Sequence, residues 1–250
     1  MATIMKRSII SGLAISALLV AAPSSVAFAA NGWLKAPLTA GGAAGAEAYD
    51  WTGWYGGVSI GLGFGQSKQS SATAALTPAF DVEGNVFGFT AGYKWQLGRV
   101  VFGLDSDISF STVQGTSGFT SAAPGFVAET SQKWLSTARA RLGLARDRWM
   151  VYVTGGPAAA DIGIMATEPG AGIASQEQVR WGWATGLGVE AVGLGAPHLY
   201  GFSLNVEYLF VDFQNAAYFN PAPTGFFNRA GGVPLSENLF RIGLSHKIEF

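Results

Sequence analysis

Residues 54–65 read Trp-Tyr-Gly-Gly-Val-Ser-Ile-Gly-Leu-Gly-Phe-Gly. Taking every second position separates Trp54, Val58, Ile60, Leu62 and Phe64 from Tyr55, Gly57, Ser59, Gly61 and Gly63. A period of two belongs to a β-strand, whose successive side chains leave opposite faces. One face of this segment is bulky and apolar, and the other is small.

Seven further segments carry the same alternation: Gly84–Leu97, Val100–Phe110, Trp134–Ala145, Trp149–Ala158, Val179–Ala191, Leu199–Val211 and Asn238–Phe250. No helical period of 3.6 competes with it. The connections alternate too. Gly98-Arg99, Arg146–Arg148 and Val192–His198 are short, whereas the other links run to about 20 residues rich in Ser, Thr, Ala, Gly and Pro, unusual in a compact soluble domain. Short and long connections at opposite ends of an antiparallel sheet are the pattern of membrane barrels.

The charges fix which face is inside. Lys94, Asp105, Asp107, Arg139, Arg141, Arg180, Glu190, Glu207, Arg241, Lys247 and Glu249 all fall on the small face. Eight strands enclose room only for side chains of modest size. Phe, Trp, Leu and Ile from every strand would overfill that interior, whereas Gly and Ser fit. The bulky face therefore points to lipid, where a Lys or Arg at mid-depth costs about 2–4 kcal/mol. Without water in the hydrocarbon, the sheet must also close on itself. The expected fold is all-β: an eight-stranded antiparallel transmembrane β-barrel with short periplasmic turns and four long extracellular loops.

Composition agrees. Of 250 residues, 49% are hydrophobic, 12% are charged and 35 are Gly, too apolar and aromatic for a disordered chain. With no Cys, disulfides, thiolate nucleophiles and Cys-ligated zinc are excluded. Lys6 and Arg7, the apolar run Ile9–Val20 and Ala27-Phe28-Ala29 have the form of a cleaved secretory signal over residues 1–29. Residues 30–50, Ala- and Gly-rich without periodicity, read as a flexible periplasmic linker, and residues 51–250 as the barrel. Without its signal the chain keeps 13 Lys and Arg against 16 Asp and Glu, a balance that does not invite nucleic acid.

Near balance among the inward charges points to a salt-bridge network filling the lumen; an ion-selective pore lining is the alternative. Asp105 and Asp107 look like a carboxylate pair, but Arg139 and Arg141 on the next strand make ion pairing the better reading. Gly57-Val58-Ser59-Ile60-Gly61 matches a nucleophile-elbow pattern, yet the alternation runs straight through Ser59 where a turn and helix are required. Gly186–Ala191 matches a loose dinucleotide pattern with no helix after it. His198 and His246 are isolated and make a poor metal site. No catalytic residue, cofactor or metal is expected.

Tyr49-Asp50-Trp51-Thr52-Gly53-Trp54-Tyr55-Gly56-Gly57 resembles the entry to strand one in the small porin-like, surface-antigen outer-membrane β-barrels of alphaproteobacteria, which are OmpA/OmpX-like eight-stranded barrels. Val101–Ile108, Ala138–Gly143, Val151–Gly156 and Val206–Phe213 resemble the same family. His246 departs from it, since an aromatic is commoner there. The resemblance implies an integral protein of the cell outer membrane with a structural, surface-exposed role, or alternatively a narrow porin. Outer-membrane lipid, lipopolysaccharide and the outer-membrane assembly machinery are the implied partners. Phe240, Ile242, Leu244, Ile248 and Phe250 resemble the C-terminal signal that this machinery reads. Gln66–Glu83 and Phe213–Glu237 are the loops expected to make external contacts.

Overall fold

The computed structural model describes residues 49–70, 75–120, 124–170, 172–193, 201–219 and 232–248. The strands are β1 (Gly53–Ser67), β2 (Phe80–Leu97), β3 (Val100–Ser111), β4 (Gln114–Thr116), β5 (Val127–Arg146), β6 (Trp149–Glu168), β7 (Gly172–Val192), β8 (Phe202–Phe213) and β9 (Leu235–Ile248). Short β4 prolongs β3 after a break at Thr112-Val113, and both lie between β2 and β5. Counting them as one staff, eight antiparallel strands form the sheet, and β1 closes it by pairing with both β2 and β9.

Ladder partners followed once round from Trp54 pass through Tyr93, Leu104, Ala140, Gly155, Thr185, Phe210 and Asn238. They return to β1 at Phe64, ten residues further along. For eight strands about 4.8 Å apart, rising about 3.3 Å per residue, that stagger tilts them about 40°. Trp54 to Phe64 then spans about 25 Å along the barrel axis, the height of an outer-membrane apolar band.

Parity decides exposure residue by residue. Trp54, Val58, Ile60, Leu62 and Phe64 are exposed on the outer wall, with Ile60 at 64%, while Tyr55 and Ser59 are buried inside. Phe87, Phe89, Phe102, Leu104, Trp181, Leu187, Phe240, Ile242, Leu244 and Ile248 continue the outer band. At the periplasmic end β2–β3 and β5–β6 turn within two residues, and the first turn residue has a positive φ in each: Gly98 at 62° and Asp147 at 53°.

One of the four long loops is corrected. The stretch between Ala158 and Val179 continues the hairpin of β6 and β7, paired from Ala159↔Trp181 to Glu168↔Gly172. The period of two persists there, but its polarity reverses. Ala158, Ala160, Ile162, Ile164 and Ala166 are buried inside, and Ser175 and Glu177 face out. Beyond the lipid the outer wall meets water, so the barrel reverts to the soluble arrangement. The other loops shorten as well, since β2 begins at Phe80 and β5 at Val127.

The interior has three tiers. Nearest the periplasm lie Trp51, Val101, Ala145, Met150, Tyr152 and Val192. A charged middle follows. Toward the loops an apolar cap is built from Leu135, Ile162, Leu209, Leu239 and Phe213, with Leu76, Phe126, Tyr218 and Val233 from the connections.

Candidate functional site

The middle tier is the candidate site. It divides into two groups of four, each with two cations and two anions. In the group nearer the loops, Arg139 Nη2 donates to Asp107 Oδ2 at 2.7 Å and Arg139 Nη1 to Glu207 Oε1 at 3.1 Å. Arg241 Nη1 donates to Asp107 Oδ1 at 3.1 Å and Arg241 Nη2 to Glu207 Oε2 at 2.5 Å. Every member therefore touches both members of opposite sign, and the ring is closed. Thr137 Oγ1 adds a bond to Asp107 at 2.6 Å.

The group nearer the periplasm is a chain. Lys94 Nζ donates to both oxygens of Glu190 at 2.6 and 2.8 Å, and Arg141 Nη1 donates to Glu190 Oε2 at 2.8 Å. Arg141 also holds Asp105 at 2.7 Å. Ser203 Oγ donates to Glu190 at 2.6 Å, and the Tyr55 hydroxyl donates to Asp105. The Tyr55 ring lies 4.2 Å from Lys94 Nζ, and the Tyr152 ring 3.9 Å from the Arg141 guanidinium. Contacts this close add cation–π attraction where water is excluded. Both rings need room that neighbouring glycines leave. A Cβ on Gly92 would come within 2.7 Å of the Tyr55 hydroxyl, and one on Gly188 within 2.5 Å of the Tyr152 ring.

The eight charges sum to zero, and each is at most 5% exposed. Isolated ions at that depth would be costly, so each is paired, and the four carboxylates accept further bonds from Thr137, Ser203, Tyr55 and Tyr152. A cavity of about 20 Å³ lies between Tyr55, Ser59, Arg139, Glu207 and Arg241, enough for about one water, and a second of about 10 Å³ borders Lys94, Glu190 and Ser203.

Of the eleven charges expected in the lumen, these eight come together. Arg180 does not join them. It is buried on β7 among the cap residues and donates to the Gln214 carbonyl. Lys247 lies at the periplasmic rim, donating to the Asp50 carbonyl at 2.9 Å with the Asp50 carboxylate 3.8 Å away. Glu249 and Phe250 lie outside the described residues, as do the signal, His198 and all of the linker before Tyr49. Phe240, Ile242, Leu244 and Ile248 line the outer wall of β9. Ser59 sits mid-strand between Gly88 and Gly243, and His246 packs edge-on against Phe202, centroids 4.4 Å apart. Among the described residues no group of three or more His, Cys, Asp or Glu is placed to hold a metal ion.

The sequence reading missed two things. A strap, Tyr49–Thr52, crosses the periplasmic mouth. Trp51 is 3% exposed, its amide donates to Gln96 Oε1 at 2.8 Å, and its ring is 5.2 Å from Lys94 Nζ. Gln132 and Glu237 are buried inside the cap, although the sequence puts Glu237 at the end of the loop Phe213–Glu237. At the same level Tyr218 Oη donates to the Ile162 carbonyl at 3.1 Å. Burial pushes its phenol up to about 12, against the opposing pull of Arg180.

A closed antiparallel barrel, with an apolar wall outside and charges within, defines a transmembrane β-barrel. The family model "Outer membrane protein beta-barrel domain" matches residues 16–245, and the chain belongs to that family. It is 32% identical over 184 residues to the 31 kDa outer-membrane immunogenic protein of Brucella melitensis, covering 68% of this chain and 74% of that one. It is 27% identical over 224 residues to the 25 kDa outer-membrane immunogenic protein of the same organism, covering 90% and 92%. The crystal structure of the outer membrane protein OprG from Pseudomonas aeruginosa covers 80% of this chain and 97% of its own, with 12% identity and a TM-score of 0.47. The protein is thus an integral β-barrel of the outer membrane.

Proposed function

We propose that the protein is a non-catalytic structural barrel that presents its loops at the cell surface and does not conduct. The two neutral groups of charge across the lumen, one a closed ring and one a chain, carry this reading. They leave a cavity for about one water, and aqueous channels usually need many more strands. Named relatives are outer-membrane immunogenic proteins, and by likeness to them the loops are offered as surface antigens. Lipopolysaccharide around the wall and the assembly machinery at the C-terminus are the proposed partners; deleting Phe250 should lower insertion yield.

Single-channel recording of the detergent-purified protein in planar bilayers tests the main point. A quiet trace is expected. Stable, reproducible open levels would establish the alternative, a narrow porin for small solutes or ions.

A further inference from the structure

Glu237 is fully buried on the inner face of β9, and neither of its carboxyl oxygens has a hydrogen bond. Gln132 of β5 faces it, 3% exposed, with both ends of its amide equally unpartnered. Around the pair stand Leu239, Leu235 and Val113, and Val211 is the ladder partner of Glu237. Space for the carboxyl comes from Gly63, where a Cβ would lie 2.4 Å from Glu237 Oε1. The neighbouring outward positions Gln66, Asp212 and Ser236 are polar, so this level is on the aqueous side of the last lipid-facing aromatics.

No cation is bonded to the carboxyl here. Arg241, the nearest cation and two inward positions closer to the ionic tier on the same strand, has both terminal nitrogens committed to Asp107 and Glu207. Among the described residues, β1 faces Glu237 with Gly63 and Gly65, β5 with Gln132 and Leu135, and β8 with Leu209 and Val211, none of them titratable. Arg180 belongs to the cap but is turned to Gln214 and Tyr218. An ionised carboxylate without a partner is strongly disfavoured in such a setting. A neutral carboxyl suits it, because its O–H and C=O match the C=O and N–H of the facing amide.

We propose that Glu237 and Gln132 form a proton-operated latch for the loop-end cap: closed while the carboxyl is neutral, loosened toward water when it ionises. Lowering the pH tightens the cap, and raising it admits water between Glu237 and the connections above. The latch rests on the cap alone and stands whether or not the lumen conducts.

The native chain has no Cys, so a single thiol reports cleanly. Val211→Cys places it beside Glu237, and Ser175→Cys, on the outer wall of β7, supplies the rate of an exposed thiol at each pH. With a membrane-impermeant thiol reagent on the reconstituted barrel, normalised labelling of Val211→Cys should rise tenfold or more from pH 5.5 to 8.5. Adding Glu237→Gln should hold it low and flat. If labelling is independent of pH, or the rise survives Glu237→Gln, the proposal is wrong. Hydrogen exchange of the Leu235–Leu239 amides, corrected for intrinsic rate, gives the same comparison in the thiol-free chain should Val211→Cys fail to fold. There too a step with pH is expected in the native chain and none in Glu237→Gln.

Discussion

The two charge clusters each hold two cations and two anions, but one has two Arg and the other an Arg and a Lys, and they are closed in different ways. Asp107, Arg139, Glu207 and Arg241 satisfy one another with four charged contacts. Lys94, Glu190, Arg141 and Asp105 form an open chain with Lys94 at one end and Asp105 at the other. Tyr55 joins those ends, giving its hydroxyl to Asp105 and its ring face to Lys94. A guanidinium on each side can close a ring with charge alone, because its planar fork reaches two carboxylates at once. An ammonium is a compact point charge, and here it needs an aromatic to finish the circuit.

The largest effect is therefore expected in the closed ring. Asp107→Ala leaves Arg139 and Arg241 sharing Glu207, with one buried positive charge in excess, and should cost about 3–5 kcal/mol, read as a lower midpoint for urea unfolding of the folded barrel in detergent micelles. In the open chain, Glu190→Gln should cost about 3 kcal/mol by leaving Lys94 unpaired. Adding Lys94→Met should return part of that loss, with a coupling of about 1–3 kcal/mol in the double-mutant cycle. Additive losses would show that the two residues do not act as a pair. Tyr55→Phe opens the circuit without removing a charge and should cost about 2 kcal/mol; the Tyr152 hydroxyl makes a longer bond, 3.3 Å to Glu207, and closes no circuit, so an equal loss in Tyr152→Phe would break the role given to Tyr55. At the small end stands Lys133–Glu177, a pair 2.5 Å apart on the outer wall with both side chains more than half exposed. Lys133→Ala should shift stability by less than about 1 kcal/mol, and raising the salt should abolish even that.

Much of this architecture is legible before any coordinates. The alternation in Trp54–Gly65 and its seven counterparts fixes the inner and outer faces, because a strand offers its side chains only two directions. What the sequence does not carry is stagger. Asp107 lies opposite Thr137 in the ladder yet bonds Arg139, and Arg141 lies opposite Gly103 yet bonds Asp105. Such diagonal pairs depend on the tilt of the whole barrel. Arg180 has inward parity like the others, but its height places it among cap residues. The β6–β7 extension escaped for another reason: Ala, Gly and Ser give little contrast between faces, and the apolar face changes sides where lipid gives way to water. Glu237 lies just before the alternation that begins at Asn238, whereas the strand containing it begins three residues earlier than that, at Leu235.

The strap across the periplasmic mouth has a mechanical consequence. Tyr49 lies upstream of Trp51 under the opening, so tension applied through the N-terminus reaches the barrel as a peeling force. It would lift Asp50 from Lys247, then Trp51 from Gln96 and Lys94, a few contacts at a time. The β1 ladders would feel the load only afterwards. Under such a load Tyr49–Thr52 would yield before the barrel itself.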